Sequence, residues 1–230
     1  MKRCLIIAGG GFDEKFASSY INQKYNGNSP ELFIVADRGL EAAMKLNLHP
    51  DIVLGDYDSV DASLIQAVKQ REDINYLEFP PEKDYTDSHL AVDTAILYGA
   101  TDICILGATG TRIDHVLANI GLLKMCLENG IPGEIVDPYN RIRMINEKLI
   151  IQKAEQFGKY VSLIPYSDYV TGITLKGFYY PLTDATFSKN IYHKVQNDMG
   201  PSRGISNEIS EAVAEIYVKD GQLLVIESCD

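Results

Sequence analysis

One pattern repeats through the first half of the sequence: a short apolar run, a turn containing glycine or aspartate, and then a helix-like stretch. Three of these apolar runs are residues 2–8, Leu32–Ala36 and 103–106. The runs do not alternate apolar with polar residues, which indicates strands that are buried on both faces. Such strands joined through helices are typical of a parallel sheet, so the sequence predicts an α/β fold.

Helices are predicted over residues 40–46, 88–98 and 116–127. In the second of these, Leu90, Thr94 and Leu97 form the stripe expected of a helix that packs on a sheet. Polar residues recur just after the predicted strands, which is where open α/β sheets bind ligands. We therefore look for chemistry at the strand ends.

The pattern changes after about Pro138, where short β-like runs are separated by Gly, Pro, Ser and Asp and no convincing long helix occurs. Asp220-Gly221 has the composition of a hairpin turn between two strands. This half predicts a small all-β domain of roughly 90 residues, either a sandwich or a barrel. The predicted division is an α/β domain over residues 1–138 and a β domain over residues 139–230.

Charge and composition exclude several classes of protein. The chain carries 21 Lys and Arg against 32 Asp and Glu, a formal net charge of −11, which argues against a nucleic-acid binder with a basic surface. The longest apolar runs are far shorter than the ~18 residues of a membrane-spanning helix, so we expect no membrane association and no signal peptide. The four cysteines lack C-x-x-C spacing, which favours a reducing cytoplasm over a disulfide framework or a zinc site.

The first chemical motif is Gly55-Asp56-Tyr57-Asp58-Ser59, which follows an apolar run and so begins where a strand ends. Asp56 and Asp58 are two residues apart in an extended turn and can point the same way. Mg²⁺ binds through one or two carboxylates and fills its other positions with water and phosphate oxygens. The alternative is a solvated aspartate-rich turn, and the spacing alone does not decide between the two.

The second motif is the segment at residues 80–87, which ends where a helix is predicted to begin. A helix N-terminus next to a lysine and carboxylates can accept phosphate directly, and metal-bound phosphate through the acids. Its candidate residues are Glu82, Lys83, Asp84, Thr86 and Asp87. Helix capping by Thr86 or Asp87 would explain one of these residues without any ligand.

The third motif runs from Gly107 to His115 and contains Gly107-Ala108-Thr109-Gly110. Its G-x-x-G is weak evidence for a dinucleotide site, because a further glycine at the same spacing is missing and that position is Ile113. Arg112 can grip phosphate through two parallel hydrogen bonds, and Asp114 and His115 can bind, orient or exchange protons. His115 could equally be an ordinary residue in the first turn of a helix.

Taken in order, these motifs resemble the thiamine pyrophosphokinases of the bacterial type. The match includes Ala36-Asp37-Arg38-Gly39, the three motifs above and Asn119, and in the second half Ser162-Leu163-Ile164-Pro165 and Gly204-Ile205-Ser206-Asn207-Glu208. It covers nearly the whole chain. Two departures are Tyr57, where the family commonly has Phe, and the lack of any Trp, which leaves the aromatic partner of the substrate ring unassigned.

The resemblance implies a three-layer α/β/α catalytic domain with a mostly parallel sheet, and a jelly-roll-like β-sandwich that binds thiamine. It also implies a homodimer with a site shared between subunits, with ATP and thiamine as substrates. The expected reaction is the Mg²⁺-dependent transfer of pyrophosphate from ATP to the hydroxyl of thiamine, which gives thiamine diphosphate and AMP.

Site residues are carried over from the same resemblance. The metal-facing acids are Asp56, Asp58 and Asp84, and Asp84 or Asp114 is the candidate base for the hydroxyl proton. Nucleotide or phosphate contacts are expected from Asp37, Arg38, Lys83, Thr86, Asp87, Gly107, Thr109, Arg112 and His115. Ser206 and Asn207 match the segment that reaches toward thiamine.

Two other functions are weighed against this one. A nicotinamide-dependent oxidoreductase built on the loop at 107–110 is disfavoured by the missing third glycine and by the acid clusters, which hydride transfer does not need. A nucleotide- or thiamine-binding regulator would not need two separate acidic sites. P-loop and protein-kinase motifs do not occur in the sequence.

Overall fold

The computed structural model describes residues 1–56, 60–80, 84–189, 198–199 and 204–230. The chain forms two compact units, Met1–Pro138 and Tyr139–Asp230. None of the helices in the described part of the chain combines the length and apolar character that a membrane crossing needs.

The first unit alternates strands and helices. Its strands are β1 (Arg3–Ile7), β2 (Leu32–Ala36), β3 (Ile52–Gly55), β4 (Asn75–Glu78), β5 (Asp102–Leu106) and β6 (Gly133–Val136). Its helices are α1 (Glu14–Lys24), α2 (Gly39–Lys45), α3 (Ala62–Lys69), α4 (Asp87–Leu97) and α5 (Ile113–Glu128).

All strand pairs in this unit are parallel, in the order β6-β5-β1-β2-β3-β4. Strand β1 lies between β2 and β5, with Ile7 opposite Val35 on one side and Leu106 on the other. The strand order reverses direction between β1 and β5, and such a switch point opens a crevice at the carboxyl ends of the strands. The predicted α/β fold class with a mostly parallel sheet is confirmed.

Helix α4 packs on this sheet through small residues. Its buried positions are Ala91, Val92, Thr94 and Ala95. Leu97, which the sequence places in the apolar stripe, is 77% exposed. That part of the prediction is wrong, because the buried face is centred on Ala91 and Ala95 and Leu97 lies on the opposite side of the helix.

The second unit is built from strands in two sheets. The first contains β7 (Asn140–Ile145), β9 (Tyr160–Pro165), β13 (Asn207–Glu208) and β15 (Leu223–Ser228). The second contains β8 (Lys148–Gln152), β10 (Tyr169–Lys176), β11 (Leu182–Ser188), β12 (Asp198–Met199) and β14 (Val213–Tyr217). A short 3₁₀ turn at Lys153–Glu155 follows β8.

Apolar residues from both sheets form one core. Val161, Leu163 and Val225 from the first sheet pack with Ile173 and Phe187 from the second. The sheets therefore face each other as a sandwich, which confirms the predicted all-β class.

The predicted hairpin at Asp220-Gly221 is wrong. Strand β14 pairs with β10 and β8, whereas β15 pairs with β7 and β9, so the turn carries the chain from one sheet to the other. Gly221 lies at φ +95°, and a Cβ there would be 2.5 Å from the carbonyl oxygen of Tyr169. Composition identifies the turn but does not reveal which strands it joins.

Glu227 is a fully buried carboxylate in β15. It accepts hydrogen bonds from Arg141 Nε at 2.9 Å and from the backbone N–H of Phe157 at 2.9 Å, and it also pairs with Arg143. These bonds tie β15 to β7 and to the segment before β9. A buried charge is tolerated because each of its oxygens meets cationic or N–H donors.

We predict that Glu227→Gln destabilises the protein by about 3 kcal/mol or more, because it leaves two arginines near a neutral amide. Glu215→Gln removes the same charge from the exposed ion pair with Lys148 and should leave unfolding almost unchanged. Urea unfolding of both variants measures the difference. Equal midpoints for the two variants would contradict the importance given to Glu227.

Candidate functional site

Two glycine turns meet at the carboxyl ends of β1 and β5. Gly10 N donates to Gly107 O at 2.8 Å, and Gly11 N donates to Thr109 O at 2.6 Å. A Cβ on Gly10 would lie 2.4 Å from Gly107 O, and Gly107 itself has φ +68°. No side chain fits between the turns, so this part of the site presents backbone groups to a ligand.

Asn119 holds the second turn against α5. The residue is 92% buried, and its Nδ2 donates to the carbonyl oxygen of Ala108 at 2.8 Å. An apolar residue at this position would leave the Ala108 carbonyl without that donor. The turn is therefore fixed before any ligand arrives.

Three longer helices begin at the same edge of the sheet. Asp13 caps α1 by accepting from Phe16 N at 2.7 Å, and Thr86 caps α4 by accepting from His89 N at 3.2 Å. Arg112 precedes α5 and makes no side-chain cap. Helix N-termini carry partial positive charge and free N–H groups, which suits them to anionic ligands.

A cleft of about 760 Å³ lies among these elements. It is lined by eight of the residues that the sequence assigns to nucleotide or phosphate contacts: Asp37, Arg38, Thr86, Asp87, Gly107, Thr109, Arg112 and His115. Segments far apart in the sequence thus meet in one crevice at the switch point. Thr86 has a structural role there as well, since its hydroxyl caps α4.

Arg112 and Asp114 form an exposed ion pair beside the cleft. Nη2 of Arg112 lies 2.7 Å from Oδ2 of Asp114, and Nε lies 3.3 Å from Oδ1. The hydrogen bond from Arg112 lowers the pKa of the Asp114 carboxyl below its usual value. Asp114 is thereby a weaker base, and its contact with Arg112 orients the guanidinium.

Asp37 adopts an unusual backbone conformation at the end of β2. Its φ is +49°, its N–H donates to Leu54 O at 2.9 Å, and a Cβ on Gly9 would lie 3.3 Å from its Oδ2. A left-handed aspartate is uncommon and strained positions cluster at functional sites. The conformation holds the Asp37 carboxylate against the first glycine turn.

Asp56 follows Gly55 at the end of β3, and a Cβ on Gly55 would lie 3.3 Å from the Cα of Asp37. Within the described residues, no three His, Cys, Asp or Glu side chains come close enough together to hold a metal ion. Carboxylates at a strand end still fit Mg²⁺, which needs only one or two of them. Asp84 is exposed, whereas Asp58 and Lys83 lie outside the described residues.

Ser206 and Asn207 lie in the second unit and differ from each other. Ser206 is exposed at φ +58°, and its N–H donates to Ser162 Oγ at 3.0 Å. Asn207 is buried, and its amide accepts from Tyr180 N at 3.1 Å and donates to Tyr180 O at 2.9 Å. Asn207 therefore fixes the backbone of Tyr180, a residue that is 71% exposed.

The structure adds residues that the sequence analysis did not select. Gly9, Gly10 and Gly11 line the cleft, and so do Phe12 and Glu14 after them and Glu41, Ala42 and Lys45 on α2. The three glycines directly after a buried strand were a usable signal. The α2 residues carry no motif, and only the fold brings them to the cleft.

Comparisons with known proteins point to the same family in both halves of the chain. Residues 24–134 match the family model for the thiamin pyrophosphokinase catalytic domain, and residues 147–223 match the model for its vitamin B1 binding domain. Thiamine pyrophosphokinase from Bacillus subtilis is 29% identical over 199 residues, which are 86% of this chain and 88% of that protein.

Solved structures give the same result. The crystal structure of the Bacillus subtilis thiamine pyrophosphokinase has a TM-score of 0.82 and 28% identity and covers 100% of both chains. That of the Geobacillus thermodenitrificans enzyme has a TM-score of 0.79 and 29% identity and covers 99% of this chain and 97% of its own. The yeast enzyme, at 14% identity, shares the fold with a TM-score of 0.73 over 99% of this chain and 86% of its own.

We predict that Gly107→Ala is more destabilising than Gly130→Ala, although both glycines have φ +68°. The left-handed backbone costs either alanine about 1–2 kcal/mol. Only at Gly107 would the new Cβ meet another atom, Ala8 O at 2.4 Å, which should add about 2 kcal/mol. Denaturant unfolding measures both, and equal losses of stability would show that the turns can separate freely.

Proposed function

The chain belongs to the thiamine pyrophosphokinase family, and from this premise we propose its reaction. It transfers pyrophosphate from ATP to the hydroxyl of thiamine in a Mg²⁺-dependent step, giving thiamine diphosphate and AMP. The thiamine oxygen bonds to the β-phosphorus while the bond from that phosphorus to the oxygen of the α-phosphate breaks. The hydroxyl proton passes to a carboxylate, and AMP leaves.

The observation that carries this proposal is the pair of interlocked glycine turns at the switch point. Gly10, Gly11 and Gly107 form a surface of backbone groups, next to the N-termini of α4 and α5. Transfer of a phosphoryl or pyrophosphoryl group leaves the protein little covalent work and depends on positioning and charge stabilisation. The rigid turns provide positioning, and the N-termini of α4 and α5 together with Arg112 provide positive charge.

Residues Asp56, Asp58 and Asp84 are proposed to hold Mg²⁺. When bound, this ion neutralises charge on the phosphate oxygens and helps to align them. Asp84 or Asp114 is proposed as the base that takes the hydroxyl proton, and the hydrogen bond from Arg112 lowers the pKa of Asp114. Arg112, oriented by Asp114, is proposed to grip the phosphates.

The second unit is proposed to bind thiamine through the loop that contains Ser206. We also propose Tyr180 as the residue that stacks on the substrate ring, because the hydrogen bonds from Asn207 fix the backbone of Tyr180. We also propose a homodimer that shares its sites between subunits, and a cytoplasmic location, which suits the buried thiols of Cys4, Cys104 and Cys126.

The test of this function is a direct assay of the purified protein with ATP, Mg²⁺ and thiamine. Thiamine diphosphate and AMP should form in equal amounts, and no ADP should accumulate. Formation of ADP and thiamine monophosphate would mean transfer of one phosphate instead of two. A parallel titration with NADH and NADPH addresses the oxidoreductase alternative, and binding of either would support it.

We predict that Asp56→Asn and Asp58→Asn each lower turnover by about a hundredfold or more at limiting Mg²⁺, because an amide lacks the anionic oxygen that Mg²⁺ prefers. The control is Asp73→Asn, which removes an aspartate from a surface pair with Arg71 outside the cleft. The rate is measured against Mg²⁺ concentration at saturating ATP. Wild-type Mg²⁺ dependence in both variants would rule out the metal assignment.

We predict that Ser206→Ala and Ser206→Gly each raise the thiamine concentration for half-maximal rate by about tenfold, or roughly 1.4 kcal/mol of binding. Both remove the hydroxyl, but only glycine relaxes the backbone at φ +58°. Ser210→Ala, at an exposed position nearby in sequence, is the control. An effect of alanine without an effect of glycine would assign the change to the backbone and not to the hydroxyl.

A further inference from the structure

The segment that leads into α4 is attached to one residue of the helix at two points. The hydroxyl of Thr86 accepts from His89 N at 3.2 Å and so caps the helix. The ring of Tyr85 packs against the imidazole of His89, with the ring centroids 4.6 Å apart and the ring planes tilted by 36°. A side chain just before the cap that packs on the first turn fixes the angle at which the chain enters a helix. His89 therefore fixes residues 85 and 86 together.

The helix that receives these contacts is itself held by the core. Ala91, Val92 and Ala95 of α4 are fully buried, so its first turn has a defined position on the sheet. Tyr85, in contrast, is 56% exposed, and His89 is half-buried. Rings this exposed add little to the stability of the whole unit, because they remove little apolar surface from water. The effect of their contact is local, since it transmits the order of α4 to the residues before it.

The residues on either side of Tyr85 belong to the candidate site. Asp84 precedes it and is proposed to hold Mg²⁺, whereas Thr86 and Asp87 follow it and line the cleft. Tyr85 and His89 are not among the residues that line this cleft. Any effect of the two rings on the reaction therefore has to act through their neighbours.

We propose that Tyr85 and His89 are positioning residues, whose ring contact orders the backbone that carries Asp84 before Mg²⁺ binds. This inference rests on the proposed function, because it is there that Asp84 is assigned to the metal. A carboxylate on ordered backbone loses little conformational entropy when it binds, whereas a carboxylate on a free segment loses more. The contact should therefore raise the affinity for the metal without adding a ligand.

The experiment measures the binding of Mn²⁺ by electron paramagnetic resonance without ATP or thiamine, since Mn²⁺ shares the preference of Mg²⁺ for carboxylates. Tyr85→Leu and His89→Leu should each weaken binding by about threefold to tenfold. The double variant should bind no more weakly than the worse of the two single variants, because either change alone breaks the contact. Tyr85→Phe keeps the ring and should bind as wild type.

Kinetics and unfolding distinguish positioning from a general structural role. In Tyr85→Leu the Mg²⁺ concentration for half-maximal rate should rise by the same factor as the weakening of Mn²⁺ binding. The rate at saturating Mg²⁺ should stay within about twofold of wild type, and the urea midpoint should not change. The control is Tyr98→Leu, which removes an exposed tyrosine from the other end of α4 and should alter neither metal measurement.

The ring contact itself can be followed in solution by nuclear magnetic resonance. The chain has four histidines, so the signal that disappears in His89→Leu identifies the imidazole of His89. Tyr85→Leu should move this signal, because the ring current of the tyrosine is lost. Tyr85→Phe should leave it in place.

The proposal is overturned if Tyr85→Leu binds Mn²⁺ as tightly as wild type or leaves the His89 signal unmoved. Binding by Tyr85→Phe as weak as that by Tyr85→Leu would overturn it too, and so would additive losses in the double variant. Full Mn²⁺ binding by Asp84→Asn would overturn it together with the metal assignment, since the rings would have no ligand to position. Failure of the pyrophosphokinase reaction appears separately, as absence of thiamine diphosphate from the wild-type protein.

Discussion

Backbone pairing between β1 and β5 is the constraint on which the cleft depends. The pairing continues beyond the strands, because Ala8 N donates to Leu106 O at 2.9 Å and Gly10 N donates to Gly107 O at 2.8 Å. Two main chains this close leave no space for a Cβ, so the turns must be glycine. Their contact fixes the position of the helices that follow and leaves peptide groups as the floor of the site.

The sequence predicts the buried strands well because their signal is local. Strands β1, β2, β3 and β5 lie within a residue or two of the apolar runs, since burial on both faces requires unbroken apolar sequence. The sequence pattern does not predict helix α1, because only Ala17 and Ile21 are buried in this largely polar segment. Strand β4, with no fully buried residue, gives an equally weak pattern.

The candidate site is predictable to the extent that it consists of strand ends. Asp37 and Gly107 directly follow strands, Arg112 ends the loop after β5, and the fold brings all three into one cleft. Glu41 and Lys45 could not be found in this way, because they lie within a helix and reach the cleft through its position on the sheet. The structural role of Asn207 was hidden too, since its partner, Tyr180, is 27 residues away.

Two buried asparagines perform similar work in the two units. Asn119 holds the carbonyl of Ala108 in the glycine turn, and Asn207 holds both backbone groups of Tyr180. In each case a side-chain amide forms the backbone hydrogen bonds that a strand or helix would otherwise form. It thereby fixes irregular backbone beside a candidate binding surface. A reaction that depends on alignment gains from loops that are ordered before the substrates bind, because the ordering cost is then met by folding and not by binding. Both asparagines thus fix backbone at a candidate binding surface, and Asn119 itself lines the cleft.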